Sequence, residues 1–167
     1  MTVRGTLALL AVLAVLGLVV LVDRPTVPTA VVLPPLLEVP ASRVTRLDVR
    51  WPDVSLAAER HDGTWRDATG RVLPSDTLEA FLGTLAELRP LDMLSRDDAE
   101  HAAFGFGEPV TSIVASTGGT PVLRLDVGAR NPSWTGVYVR ATDASEVVLV
   151  GSLLHWELEK LRSAASR

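Results

Sequence analysis

Seventeen consecutive residues, from Thr6 to Val22, carry no charge, and most of them are Leu, Val or Ala. As a helix rising about 1.5 Å per residue this run reaches roughly 26 Å, close to the hydrocarbon core of a bilayer at about 30 Å. The pattern predicts one transmembrane helix over 6–22, with residues 1–5 as a short cytoplasmic end and the bulk of the chain outside the cytoplasm. Arg4 precedes the run and Asp23 and Arg24 follow it, so the flanking charge sets only a slight inside-positive bias. A cleaved secretory signal is the competing reading. Against it stand the length of the run, beyond an h-region of roughly 7–15 residues, and the prolines that occupy the place of a small-residue cleavage site.

Pro25, Pro28, Pro34, Pro35 and Pro40 make residues 23–40 a Pro-rich linker, extended rather than helical. Fully extended at about 3.1 Å per residue it would hold a domain some 50 Å from the bilayer. Val31, Val32, Leu33, Leu36 and Leu37 are apolar enough for part of it to dock on the domain instead.

From residue 41 to 162 the periodicity predicts one α+β domain. Val44, Leu47 and Val49 alternate with polar residues, and Val54 to Arg60 follows the Pro52-Asp53 turn as a second strand. Thr64 to Arg66 and Arg71 to Leu73 read as short strands after the turns at His61-Asp62-Gly63 and Ala68-Thr69-Gly70. Leu78, Phe81, Leu82, Leu85 and Leu88 form the stripe of an amphipathic helix opened by Ser75 and stopped at Arg89-Pro90. Ser95 with Asp98 three residues on predicts a short capped helix broken at Phe104-Gly105. Further strands read as 110–116, 122–127, 137–141 and 147–150, and a last helix from Ser152 carries Leu154, Leu158 and Leu161 on one face, with Leu153 and Trp156 beside it. Residues 163–167 read as a frayed tail. Both halves thus run as an antiparallel strand meander followed by an amphipathic helix, the order an internal duplication would leave.

Composition sharpens this picture in two ways. A hydrophobic share of 47% with a mean hydropathy of +0.27 fits one concentrated apolar block on an otherwise ordinary domain. Setting aside residues 1–40 takes two basic and two acidic residues from sixteen and twenty, leaving fourteen against eighteen. A mildly acidic domain has no basic stripe for nucleic acid. No Cys is present, which excludes thiol chemistry and a lipoprotein anchor.

The candidate chemistry is sparse. His61, His101 and His155 stand far apart, without partners at metal-ligand spacing. Asp97, Asp98, Glu100 and His101 cluster, but acids in the first turn of a capped helix are what helix electrostatics favours. Ser112, Ser116 and Ser133 lack the Gly-x-Ser-x-Gly elbow of a hydroxyl nucleophile. Gly105 and Gly107 are too few for a phosphate loop. No catalytic residue, metal or cofactor is predicted. Trp51, Trp65, Trp134 and Trp156 offer the largest side-chain surfaces, and core packing is the plain account of them. The one placed outside is Trp134, in a loop with Arg130 and Asn131 that could meet a partner, the Arg able to stack or to bind a carboxylate.

Trp65, the helix with Leu78 and Leu82, Phe104-Gly105-Phe106-Gly107-Glu108-Pro109, Leu123 to Gly128, Tyr138-Val139-Arg140 and Val147 to Val150 together resemble the domain-of-unknown-function family 4340 over roughly residues 44–161. Where that family usually has Tyr-Gly-Leu, this chain has Phe104-Gly105-Phe106. The resemblance implies a bacterial domain anchored by one amino-terminal helix, found with gliding-type or other ABC exporters and without an established activity. The expectation is therefore a non-enzymatic accessory of an envelope assembly in the inner membrane, contacting lipid through residues 6–22 and an envelope or transporter protein through its outer domain. A secreted or periplasmic ligand-binding module, released by signal cleavage, is the alternative. An enzyme built from scattered acids and Arg residues is the third reading.

Overall fold

The alternation through Leu47 and Val49 becomes β1 (Arg46–Arg50), whose apolar residues are buried while Arg46 and Arg50 are exposed on the other side. The computed structural model describes residues 34–95, 101–107 and 110–166, which all fall in one compact unit. The expected span over 6–22 and the linker as far as residue 33 lie outside them. Among the described residues, no helix is long and apolar enough to cross a membrane.

After β1 come β2 (Ser55–His61), β3 (Thr64–Asp67), α1 (Ser75–Glu87), β4 (Asp92–Ser95), β5 (Thr111–Thr117), β6 (Thr120–Arg130), β7 (Gly136–Ala141), β8 (Val147–Gly151) and α2 (Leu153–Ala165). The fold of the described residues is α+β: one antiparallel sheet in the order β3-β2-β1-β5-β6-β7-β8-β4, with two α-helices. β1 pairs with β5, and from that border β2 and β3 continue one way and β6, β7 and β8 the other, while β4 leaves chain order to close the far edge beside β8.

Register sorts the side chains by face. Leu47 faces Ala58 and Ala115, Val49 faces Leu56 and Ile113, and the row continues through Leu125, Val127, Val137, Val139 and Val150. That face meets Leu78, Phe81, Leu82 and Leu85 of α1 and Leu154, Leu158 and Leu161 of α2 in a single core. The helices pack on each other, and their apolar stripes, spaced at three and four residues, are what the sheet requires as a cover.

Several expectations are corrected. β4 occupies the place where a Ser95-capped helix was expected to begin: Asp92 and Met93 pair with Leu149 and Val148, and Ser95 pairs with Val147. The rest of that expected helix, residues 96–100, lies outside the described residues, and 101–105 is a turn. Residues 71–73 make a single bridge, Arg66 to Val72, rather than a strand. Neither expected cap acts through its side chain: Pro74 precedes α1, Ser75 is already helical, and Ser152 sits before α2 in helical conformation without a side-chain cap bond. The expected frayed tail is helical through Ala165, because Ala164 and Ala165 continue a good helix-forming run.

The end of the linker docks. Leu36 and Leu37 donate their backbone N–H to the carbonyls of Leu88 and Leu85 at 2.9 and 3.1 Å, and Leu37 is fully buried in the core. Those carbonyls lie at the C-terminus of α1, where no intrahelical partner remains for them.

Candidate functional site

The segment joining β6 to β7 is built around Asn131. Its Oδ1 accepts from the backbone N–H of Thr135 (2.9 Å) and Gly136 (3.0 Å), and its Nδ2 donates to the hydroxyls of Ser133 (2.9 Å) and Thr135 (3.1 Å). Its backbone N–H reaches Gly136 O, and its carbonyl accepts from Trp134 N–H at 2.9 Å. Asn131 is thus consumed in shaping the turn, as the Asx residues commonly are. The turn holds Trp134 at φ +63°, the left-handed region that a bulky residue rarely enters.

That conformation puts the indole outside. Trp134 is 66% exposed, and the guanidinium of Arg130 lies 4.2 Å from its ring centroid. Trp156, in the first turn of α2, comes within 5.6 Å of the same guanidinium and is 54% exposed. Ser152 N–H donating to Thr135 O at 3.0 Å ties the start of α2 to the loop, and Leu153 stands exposed one turn before Trp156. Arg130 Nη2 donates to Trp134 O at 3.2 Å, its Nε has no hydrogen-bond partner, and no carboxylate among the described residues pairs with it. The cluster is an apolar aromatic surface with one unneutralised cation at its centre, a surface chemistry enriched at the energetic centres of protein interfaces.

The expected loop residues therefore divide. Arg130 and Trp134 are presented together at the surface, and Asn131 supports them from beneath. Trp156 and Leu153 join them only in three dimensions. The sequence pattern places both beside the apolar stripe of the last helix, where an aromatic residue is ordinarily buried, and the stretch of chain between Trp134 and Trp156 contains no signal of their meeting. The other two tryptophans are core residues, Trp65 fully buried and Trp51 nearly so.

A second polar constellation lies on the sheet face away from the helices. His101 is buried, its Nδ1 2.7 Å from Arg140 Nη1 and its Nε2 2.9 Å from Ser145 O. Because the guanidinium can only donate, Nδ1 accepts and Nε2–H donates, which fixes the neutral tautomer. Arg140 Nε also donates to Asp126 Oδ2 at 3.3 Å, and its guanidinium stacks 4.8 Å from the Phe106 centroid. Phe104 meets Tyr138 edge-on at 4.9 Å. His101, expected in an acidic helical cluster, is instead a fastener that straps residues 101–107 over β6, β7 and the turn before β8. Of the serines, Ser112 and Ser116 stand on β5 and Ser133 in the Asn131 turn; among the described residues, no group of three or more His, Cys, Asp or Glu could hold a metal ion.

An antiparallel sheet with both helices on one face, a strapped second face and an aromatic-cation cluster at the β6–β7 turn defines an α+β domain with exposed apolar side chains gathered at that turn. A family model for "Domain of unknown function (DUF4340)" matches residues 65–164, from β3 into the last turn of α2, and the chain belongs to that family. No curated protein and no solved structure matches it.

Proposed function

We propose that the chain is a single-pass membrane-anchored, extracytoplasmic interaction domain that serves as a non-enzymatic accessory of a bacterial envelope assembly, an ABC-type exporter of the gliding kind. The observation that carries this reading is the exposed cluster of Trp134, Trp156 and Leu153 around the unpaired Arg130. Solvent-exposed Trp in contact with Arg costs solubility and is retained at surfaces that meet a partner, where Trp and Arg dominate the binding energy. The left-handed Trp134 adds to this: backbone strain of about 1–2 kcal/mol is spent to point the ring outward. On the sequence, residues 6–22 supply the anchor and residues 23–33 the linker before the folded unit. The progression of β1-β2-β3 one way and β5-β6-β7-β8 the other from the β1–β5 border, β4 excepted, supports an origin by duplication of a meander-plus-helix unit.

Two measurements test the reading together. Alkaline extraction of membranes should leave the intact chain in the pellet, with the outer domain open to protease added from outside. A photo-crosslinker at position 134 should then join the chain to a transporter or other envelope component in living cells, whereas the same group at exposed Arg66 on β3 should not. An intact chain in the soluble fraction, or equal crosslinking from both positions, overturns the proposal.

A further inference from the structure

The strap of residues 101–107 leaves the second face of the sheet open over β1, β2, β5 and the adjoining part of β6. Register places Arg50 between Ser55 on β2 and Ser112 on β5, and places Val114 between Asp48 on β1 and Arg124 on β6. With strands about 4.8 Å apart and residues rising about 3.4 Å, the Arg50 and Arg124 α-carbons stand roughly 12 Å apart, one on each side of β5. Together with Asp48, Ser55, Ala57, Ser112, Val114 and Thr142 they line an open groove of about 360 Å³.

The charges in and around the groove are not evenly matched. Asp48 is already taken by Arg46, whose Nε and Nη2 donate to its two oxygens at 2.7 and 2.9 Å, and Arg46 also pairs with Glu59. Asp126 is likewise satisfied, by Arg140 on one oxygen and by Thr142 Oγ1 at 3.2 Å on the other. Among the described residues neither Arg50 nor Arg124 has an ion-pair partner, although Arg60, Arg71 and Arg162 elsewhere on this acidic domain all do. Asp48 and Asp126 are thus held by other cations, while Asp143 and Glu146 border Arg124 in adjoining clefts. What faces solvent is a pair of guanidiniums with serine hydroxyls between and beside them, over a floor of Val114 and Ala57.

We infer that this groove binds a small oxyanion ligand carrying carboxylate or phosphate groups, with Arg50 and Arg124 as its cationic contacts and the hydroxyls of Ser55 and Ser112 as further donors. The planar fork of Arg matches both oxyanions in two-point fashion, so the two guanidiniums can grip one such group or two groups of one molecule. The site is separate from the Arg130–Trp134–Trp156 cluster and stands whether or not that surface meets a protein.

Calorimetric titration of the full chain in detergent, at low ionic strength, with succinate and with inorganic phosphate tests it. The expected result is saturable one-to-one binding of at least one of the two, the pair telling carboxylate from phosphate. Arg50→Gln and Arg124→Gln should each weaken it about tenfold or more, the scale of one lost charge-assisted contact. Trp134→Ala and Arg66→Gln should leave it unchanged. Both groove arginines are exposed, so an unaltered circular dichroism spectrum accompanies their substitution. Absence of saturable binding to either anion, retention of binding in the Arg50→Gln/Arg124→Gln double variant, or equal weakening by Arg66→Gln overturns the proposal.

Discussion

Gly105 approaches Ala129 so closely that a Cβ at position 105 would lie 2.5 Å from the Ala129 backbone nitrogen. The contact joins the strap to β6, since Ala129 N–H donates to Phe104 O at 2.8 Å, and on the same strand Gly128 leaves room for the Phe106 ring. Gly105 also sits at φ +84°, so Gly105→Ala meets both a left-handed backbone and a collision with main-chain atoms. The expected loss is about 2–4 kcal/mol in chemical denaturation, with faster hydrogen exchange at the Ala129 amide. Gly107→Ala, where a Cβ meets open space, is the comparison and should change stability by less than about 0.5 kcal/mol.

The four tryptophans separate into two kinds, and their substitutions should do the same. Trp65 is fully buried and donates its indole N–H to Glu79 Oε1 at 2.9 Å, so Trp65→Ala both opens a cavity and leaves that carboxylate without one of its donors. A loss of about 3–5 kcal/mol is expected. Trp134→Ala removes a ring that is mostly in water and held chiefly by Arg130, and should cost at most about 1 kcal/mol. Thermal or denaturant unfolding of the two variants checks the contrast; a large loss at position 134 would assign that indole a structural role.

Acid should weaken the turn after β3. Asp67 Oδ1 accepts from the Thr69 hydroxyl, Thr69 N–H and Arg71 N–H, and its Oδ2 accepts from Arg71 Nε at 2.9 Å. These donors, the Thr69 hydroxyl foremost, hold the carboxyl down to about 2. Its folded value lies below the unfolded one of about 3.9, so the stabilisation is complete above about pH 4 and is lost as pH falls towards 2. Asp67→Asn removes the ionisation, so the gap in melting temperature between the parent chain and this variant should narrow from pH 5 to pH 2. A gap that stays constant over that range refutes the assignment.

Where sequence and structure part, the reasons are physical. The strands of the core were legible because one face is buried and the period of two shows it: Leu47 and Val49 alternate with Arg46, Asp48 and Arg50. β4 was not, because an edge strand with Met93 and Leu94 both exposed, as is Leu91 just before it, has no alternation to read, and Ser95-x-x-Asp98 imitated a helix start. β6 runs past its expected end at Val127, through Gly128, because that glycine serves a close approach to Phe104 and Phe106 rather than a turn. Within the candidate site, Trp134 and Arg130 were legible as neighbours in a turn. Trp156 reaches them only through the packing of α2 against the sheet, and Asn131 reads as a surface polar residue until its four side-chain hydrogen bonds are seen. The groove of Arg50 and Arg124 depends on strand order, which brings β1 beside β5 although β2, β3, α1 and β4 intervene in the chain.

The docked end of the linker moves the boundary of the domain, and this too can be measured. Leu37 is 1% exposed in the core and, with Leu36, places a backbone donor on each of two carbonyls at the end of α1. Leu37→Ala should therefore cost about 2–4 kcal/mol, while Glu38→Ala at the neighbouring exposed position should be nearly neutral. A chain beginning at residue 34 should keep the stability of the folded unit; one beginning at 41 should lose at least as much as Leu37→Ala, since it gives up the two hydrogen bonds as well. Equal stability of the two truncated chains would return residues 34–40 to the linker. If they belong to the domain, the Pro-rich linker read from the sequence shortens to the eleven residues 23–33, whose fully extended length is about 34 Å rather than some 50 Å.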